Sequence, residues 1–129
     1  MMLPAQDPLK RPAEQWVQTT LRKMTLEEKV GQTIFDRLDG RFVNEQDERF
    51  LRIKERIQKL HLGGVVVYQG TPHDTAALLN ALQRLARVPL LVAGDLERGA
   101  AMRIALTLGL PHNMAIAATL DPAHAAFAA

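Results

Sequence analysis

The fold of this protein is decided by one stretch, VVVYQGTPHDTAALLNALQRLARVPLLVA, at residues 65–93. It opens with an apolar, β-branched run at 65–68, which is typical of a strand, and closes with a second apolar run at 90–93, which is typical of a strand buried on both faces. Between them, Thr71, Pro72 and Asp74 suit the cap, first and third positions of a helix. A crossover of about twenty residues forces the two strands to be parallel. The stretch therefore predicts a β-α-β unit.

The residues just before this unit extend the pattern. Apolar residues at 50, 53, 57 and 60 are spaced for one helical face, so we predict a helix over 44–60. Gly63 is suited to the left-handed position that closes this helix. Residues 33–35 form a weak first strand with Asp36 at its end, where a surface loop is the favoured interpretation. The predicted order is therefore β-α-β-α-β, an open three-stranded parallel sheet.

The amino-terminal part predicts helices only. Residues 1–11 are polar and proline-spaced, so we expect an extended lead-in. An apolar stripe over 12–24 predicts a helix with Trp16 in the core. Thr25 and Glu28 form a capping box, which starts a short helix that ends near Gly31. Residues 1–23 are thus interpreted as the lead-in and first helix, and 24–129 as the domain proper.

Composition excludes several function classes. The 16 basic and 14 acidic residues are intermixed and aromatic residues make up only 5%, so no nucleic-acid interface is expected. Cysteine is absent, which excludes disulfides and thiol nucleophiles. There is no apolar run of the ~20 residues that a membrane helix needs and no signal-peptide pattern, so we expect no membrane partner and a cytoplasmic location by default, with a periplasmic or secreted one left open.

The richest candidate site follows the last predicted strand. Asp95 lies at the carboxyl end of that strand, where parallel α/β folds bind ligands, and Glu97, Arg98 and Arg103 follow within eight residues. Asp95 could equally cap the next turn. Glu97 and Arg103 could form an ion pair that stiffens the loop or could contact a ligand directly. Arg98 is placed in solvent or at the site rim.

Histidine offers no competing site. The four histidines show no metal-ligand spacing, so no metal or other cofactor is expected. His112 is expected to pack in the interior or to make a buried hydrogen bond.

Three segments, taken in order, resemble the amino-terminal part of glycoside hydrolase family 3. They are MTLEEKVGQ at 24–32, LGGVVVY at 62–68, and the stretch that joins DLERG at 95–99 and Met102-Arg103 to LPHNMAIAAT at 110–119. The third segment is the most specific. It departs from the commoner Asp-x-Glu-Gly-Gly form, because Arg98 and Ala100 flank a single glycine, and this leaves the preferred sugar in doubt.

The resemblance implies a (β/α)8 barrel with its site at the strand carboxyl ends. It implies that Asp95 binds hydroxyls of the non-reducing sugar, with Glu97 and Arg103 as further substrate-binding candidates, and that no cofactor is used. The family are retaining enzymes with a carboxylate nucleophile and a separate acid/base. Neither is expected among these 129 residues, which correspond to about the first three β/α units of a barrel of ~250 residues. The rest of that barrel is the expected partner.

Two functions follow. The first is the amino-terminal fragment of a retaining β-glycosidase that acts on terminal non-reducing β-linked sugars; a β-N-acetylhexosaminidase is slightly preferred over a β-glucosidase. The second is a non-catalytic small α/β carbohydrate-binding or interaction module, which would cover its exposed sheet edge by self-association. Residues 125–129 lack a helix cap, which we interpret as favouring the fragment.

Overall fold

The computed structural model describes residues 10–41 and 43–128, which form a mixed α/β fold around a three-stranded parallel sheet. Strands and helices alternate over residues 35–93, as the sequence predicts. The elements are α1 (Lys10–Lys23), α2 (Leu26–Gly31), β1 (Phe35–Gly40), α3 (Glu48–Lys59), β2 (Gly64–Gly70), α4 (Pro72–Gln83), β3 (Leu91–Ala93), a 3-10 turn (Ala100–Met102), α5 (Asn113–Ala118) and α6 (Pro122–Ala128).

The sheet has the strand order β1-β2-β3, and both neighbouring pairs are parallel. The middle strand pairs at Val65 with Asp36 on one side and with Val92 on the other. The predicted β-α-β-α-β unit is therefore confirmed. Because all three strands run the same way, their carboxyl ends meet at one edge of the sheet.

The hydrophobic core lies between the sheet and helices α3 and α4. Val65 and Leu82 are fully buried, and the helix stripe at 50, 53 and 57 packs into the same cluster. The ten buried apolar residues are Leu38, Phe50, Ile53, Ile57, Leu62, Val65, Val67, Leu78, Leu82 and Leu90. Burying a side chain of this size stabilises the fold by about 1.5–3 kcal/mol, so this layer supplies most of the stability of the described residues.

The predicted helix starts are confirmed at α2 and α4. Thr25 accepts from the Glu28 backbone N–H while the Glu28 carboxylate accepts from the Thr25 backbone N–H. Thr71 caps α4, with Pro72 as the first helical residue and Asp74 in the first turn. Both starts rest on local hydrogen bonds, which explains why the sequence alone locates them.

Three boundaries were predicted wrongly. The first strand spans Phe35–Gly40, so Asp36 lies inside β1 and not at its end. The helix predicted over 44–60 begins at Glu48, because the Asp47 carboxylate caps it by accepting from the Arg49 backbone N–H. The left-handed residue after that helix is His61 (φ 55°), whereas Gly63 has no positive φ.

Gly63 is explained by a lack of space for a side chain. A Cβ there would lie 1.9 Å from the carbonyl oxygen of Gln32. The Gly63 backbone N–H also donates to the Gly31 and Ile34 carbonyls at 3.0 and 3.1 Å. The close approach of the 31–34 turn to the start of β2 therefore explains this residue, and helix closure does not.

Two expectations about burial are also wrong. Leu91 is 64% exposed and Val92 48%, so β3 is not buried on both faces. Leu91 and Val92 point to opposite faces of this strand, and neither side chain is covered by the other described residues. Trp16 is 54% exposed on α1 and does not enter the core.

The remaining differences concern the two ends. The predicted extended lead-in falls mostly on residues 1–9, outside the described residues, but Lys10 and Arg11 are already helical. Helix α6 after Asp121 is confirmed, whereas α5 was not predicted. Within residues 10–41 and 43–128, no helix combines the length and hydropathy needed to cross a bilayer.

Candidate functional site

The candidate site is the loop that follows β3, at residues 94–112. Asp95 lies two residues beyond the end of β3, at the edge where the three parallel strands terminate. It is solvent-exposed, with its side chain 46% accessible. The structure therefore places this carboxylate where ligands of parallel α/β folds bind, as the sequence predicts.

Backbone hydrogen bonds tie this loop to the sheet. Ile104 forms a parallel bridge with Gly70 at the end of β2, and the Ala105 N–H donates to the Gly70 carbonyl at 2.8 Å. The loop reverses at Gly99, whose φ of 77° favours glycine and whose Cβ would lie 2.7 Å from the Leu108 carbonyl oxygen. The loop is thus held against the carboxyl end of β2 by backbone hydrogen bonds.

Arg103 pairs with Asp95 and not with Glu97. Its Nη2 lies 3.0 Å from Oδ2 of Asp95. The suggested Glu97–Arg103 ion pair is therefore wrong. Reversal of the chain at Gly99 brings Arg103 back toward the end of β3, where Asp95 is the nearer carboxylate. Glu97 remains exposed and makes an isolated bridge with Gly99.

Arg37 and Tyr68, which were not predicted as site residues, also belong to this cluster. The Arg37 Cζ lies 4.5 Å from the centre of the Tyr68 ring, and the Arg103 Cζ lies 4.9 Å from it. A ring face attracts a guanidinium through its quadrupole. The available signal was the position of Tyr68, since it is the aromatic residue near the carboxyl end of the middle strand, inside the segment LGGVVVY.

A second carboxylate stands at the end of β1. Asp39 accepts from Nε of Arg41 at 2.8 Å, and the Arg41 Nη2 also donates to it. Side-chain hydrogen bonds from Arg41, followed by its backbone N–H, lower the pKa of Asp39 below its ordinary value. Asp39 is therefore ionised at neutral pH, and its charge is already matched by a guanidinium.

Arg98 and His112 contact each other on the exposed side of the loop. The Arg98 Nη1 lies 3.0 Å from Nε2 of His112, and both line an open depression of about 920 Å³ together with Glu97 and Met102. His112 is exposed, so the expectation of a buried histidine is wrong. Arg98 is half-buried at the rim, close to its predicted position.

The chemistry available here is recognition of polar groups. An exposed carboxylate with one oxygen on Arg103 can accept hydrogen bonds from ligand hydroxyls, and Arg103 can donate to a ligand oxygen. No group of three or more metal-ligating side chains occurs in the part of the chain that the structure describes.

Comparison with known proteins points in the same direction. A protein of Cellulomonas fimi named beta-N-acetylglucosaminidase/beta-glucosidase is 38% identical over 109 residues, which make up 84% of this chain and 18% of that relative. No family model matches the chain. The similarity to this relative supports the relationship with glycoside hydrolase family 3 that the three motifs indicate.

Proposed function

We propose that this chain, a relative of glycoside hydrolase family 3, forms part of an enzyme that hydrolyses β-linked sugars from non-reducing ends, with N-acetylglucosamine as the preferred sugar. The observation that carries the proposal is Asp95. It is an exposed carboxylate at the shared carboxyl edge of three parallel strands, in the segment that most specifically resembles the family. The similarity to the Cellulomonas fimi protein over 84% of this chain supports it.

Asp95 contributes binding and orientation in this proposal. A carboxylate accepts hydrogen bonds from two neighbouring hydroxyls of one pyranose, and charge-assisted hydrogen bonds of this kind are about twice as strong as neutral ones. Arg103 holds Oδ2 at 3.0 Å and thereby limits rotation of the carboxylate. The terminal sugar would then be held in one orientation before the glycosidic bond is attacked.

The chemical step is assigned to residues outside this chain. The family resemblance implies a carboxylate nucleophile and a separate acid/base. Neither role has a matching motif in these 129 residues. The chain spans 18% of the length of the relative it matches. In this proposal its residues supply scaffold and sugar recognition.

The architecture proposed for the whole enzyme is a (β/α)8 barrel. The parallel order β1-β2-β3 with intervening helices on one side is compatible with the first units of such a barrel. Strand β3 has no neighbour beyond it among the described residues, which fits an edge that pairs with a further strand. The exposed side chains of Leu91 and Val92 fit faces that further elements of the barrel would cover.

A β-glucosidase is the second candidate. The name of the Cellulomonas fimi relative joins both activities. The two sugars differ in the substituent on C2. If Asp95 binds hydroxyls away from C2, it does not by itself distinguish N-acetylglucosamine from glucose.

The test is hydrolysis by the complete product of the gene that encodes this chain. Rates are measured on p-nitrophenyl β-N-acetylglucosaminide and β-glucoside for the wild type, Asp95→Asn and a control, Glu48→Gln. Glu48 is also a carboxylate paired with an arginine, but its side chain is 87% exposed at the start of α3. We expect Asp95→Asn to lower kcat/KM by about 10- to 100-fold, the value of a charged hydrogen bond.

Glu48→Gln should leave kcat/KM within twofold of the wild type. Equal rates for Asp95→Asn and Glu48→Gln would contradict the role of Asp95. The absence of hydrolysis of either substrate by the wild type would contradict the enzyme itself and favour a non-catalytic binding module.

A further inference from the structure

The β1–β2 ladder contains an irregularity that isolates Tyr68. Leu38 pairs with Val67, and the next pair is Asp39 with Gln69, so Tyr68 has no partner on β1. An extra residue of this kind bends a strand and redirects its side chain. Val67, just before it, is buried in the core, whereas Tyr68 is only half-buried. Alternation along β2 therefore leaves this aromatic ring outside the core, and the bulge leaves it without a cross-strand neighbour on β1.

The ring of Tyr68 is contacted by two arginines from different parts of the chain. Arg37 comes from β1 and lies 4.5 Å from the ring centre, and Arg103 comes from the candidate sugar-binding loop and lies 4.9 Å from it. A planar guanidinium stacks well on an aromatic face. Sheet and loop are therefore joined by one ring.

Arg103 has few other restraints on its position. Its Nη2 contacts Asp95, whereas its Nε is buried and finds no hydrogen-bond partner among residues 10–41 and 43–128. Its side chain is 23% exposed. With no hydrogen bond at Nε, Asp95 and the ring of Tyr68 are the two contacts that restrain the guanidinium.

We propose that Tyr68 is a positioning residue for sugar recognition: its ring, which Arg37 also contacts, holds the Arg103 guanidinium, which in turn holds Asp95. This rests on the proposed function of Asp95. The inference predicts that recognition depends on the aromatic ring of Tyr68 and not on its hydroxyl. Tyr68 touches Arg103 and need not touch the sugar.

The first test reads the position of Arg103 without any enzyme activity. The Nε–H resonances of Arg37 and Arg103 are recorded by ¹H–¹⁵N NMR on the 129-residue chain. Because both groups lie over a ring, we expect displaced Nε–H shifts in the wild type and in Tyr68→Phe. In Tyr68→Leu these shifts should move to the values of exposed arginines. An unchanged Arg103 resonance in Tyr68→Leu would overturn the inference.

The second test uses kinetics of the complete gene product. Since Asp95 would bind non-reacting hydroxyls, its misplacement should weaken substrate binding more than the chemical step. We expect Tyr68→Leu to raise KM by about 2- to 30-fold, the range expected for loss of a cation–π contact, with kcat within about twofold. Tyr68→Phe should restore the wild-type KM. Equal defects in Tyr68→Leu and Tyr68→Phe would overturn the role of the ring.

Arg37→Met keeps the test decisive if Tyr68→Leu fails to fold. Arg37 is exposed, so its replacement leaves the core intact, and we expect a smaller rise in KM in the same direction. An unchanged KM together with an unchanged Arg103 Nε–H shift in this variant would overturn the inference. The two proposals fail separately. If Asp95→Asn lowers kcat/KM but the Tyr68 and Arg37 variants keep the wild-type KM, only the positioning role is overturned. If Asp95→Asn keeps the wild-type kcat/KM, the role of Asp95 in sugar binding is overturned.

Discussion

Residues 24–90 and residues 91–128 contain similar kinds of apolar side chain but bury them very differently. All ten buried apolar residues of the described chain lie between 38 and 90, and no residue from 91 to 128 is buried. In the second region Leu106, Met114, Leu120 and Phe127 are each more than 80% exposed. Apolar content alone therefore does not make a core, because the side chains need elements long enough to face one another.

The physical cause lies in element length and pairing. In the first region α3 and α4 have 12 residues each and lie against a sheet. In the second, α5 and α6 have six and seven residues and contact each other. The first region forms the scaffold, and the second carries the candidate sugar-binding loop. Under our proposal, the apolar surface of the second region packs against the remainder of a barrel.

The largest expected difference between the regions is in leucine truncation. Leu82 is fully buried, and Leu120 is 91% exposed. We expect Leu82→Ala to lower the free energy of unfolding of this chain by about 2–5 kcal/mol. Leu120→Ala should change it by less than about 0.5 kcal/mol. Both values come from urea denaturation followed by circular dichroism, and equal losses would contradict the division into two regions.

A smaller difference is expected between two glycines. A Cβ at Gly63 would lie 1.9 Å from the Gln32 carbonyl oxygen, whereas at Gly94 the nearest atom is 3.6 Å away. Gly63→Ala forces backbone to move in the packed region, so we expect a loss of about 1–3 kcal/mol. Gly94→Ala has ordinary contact distances and should be neutral within about 0.5 kcal/mol. Thermal unfolding of Gly63→Ala and Gly94→Ala measures the two losses of stability. A neutral Gly63→Ala would show that the 31–34 turn can move away from β2.

These two regions also differ in how well the sequence predicts them. Helix α4 and strand β2 were located because a threonine cap and an uninterrupted β-branched run are local signals. Strand β1 was misplaced because FDRLDG carries three charges, and its pairing with β2 overrides that local pattern. Exposure of β3 was missed because a composition suited to burial does not reveal whether other elements cover the two faces of the strand.

The candidate site was predicted in part for similar reasons. The position of Asp95 follows from its place after an apolar run. Its partner could not be deduced, since spacing permits Arg103 to reach either carboxylate and only the reversal at Gly99 decides. The contact of Arg37 with Tyr68 depends on strand register, which no local pattern specifies.

The smallest expected effect is a pH dependence of the stability of the first region. Hydrogen bonds from the Arg49 side chain, and then from its backbone N–H, lower the pKa of Asp47 from 3.8 to about 2. Because the folded pKa is depressed, the contribution of Asp47 to stability is present above about pH 4 and is lost as the pH falls toward 2. In the second region, α5 starts at His112 without a side-chain cap.

Asp47→Asn provides the matched variant, because asparagine still caps a helix but does not ionise. We expect the wild type to lose more stability than Asp47→Asn between about pH 4 and pH 2. The measurement is the urea midpoint of both proteins across that range. Parallel pH profiles would show that the Asp47–Arg49 pair contributes nothing to the stability of the first region.

The contacts of Asp95 in the presence of bound sugar decide whether this residue recognises the substrate. The most direct measurement is a crystal structure of the complete gene product with N-acetylglucosamine in its site. We predict that the Asp95 carboxylate accepts hydrogen bonds from sugar hydroxyls at about 2.5–3.0 Å while keeping its contact with Arg103. A sugar bound elsewhere, with Asp95 contacting only Arg103 and solvent, would contradict the proposed role.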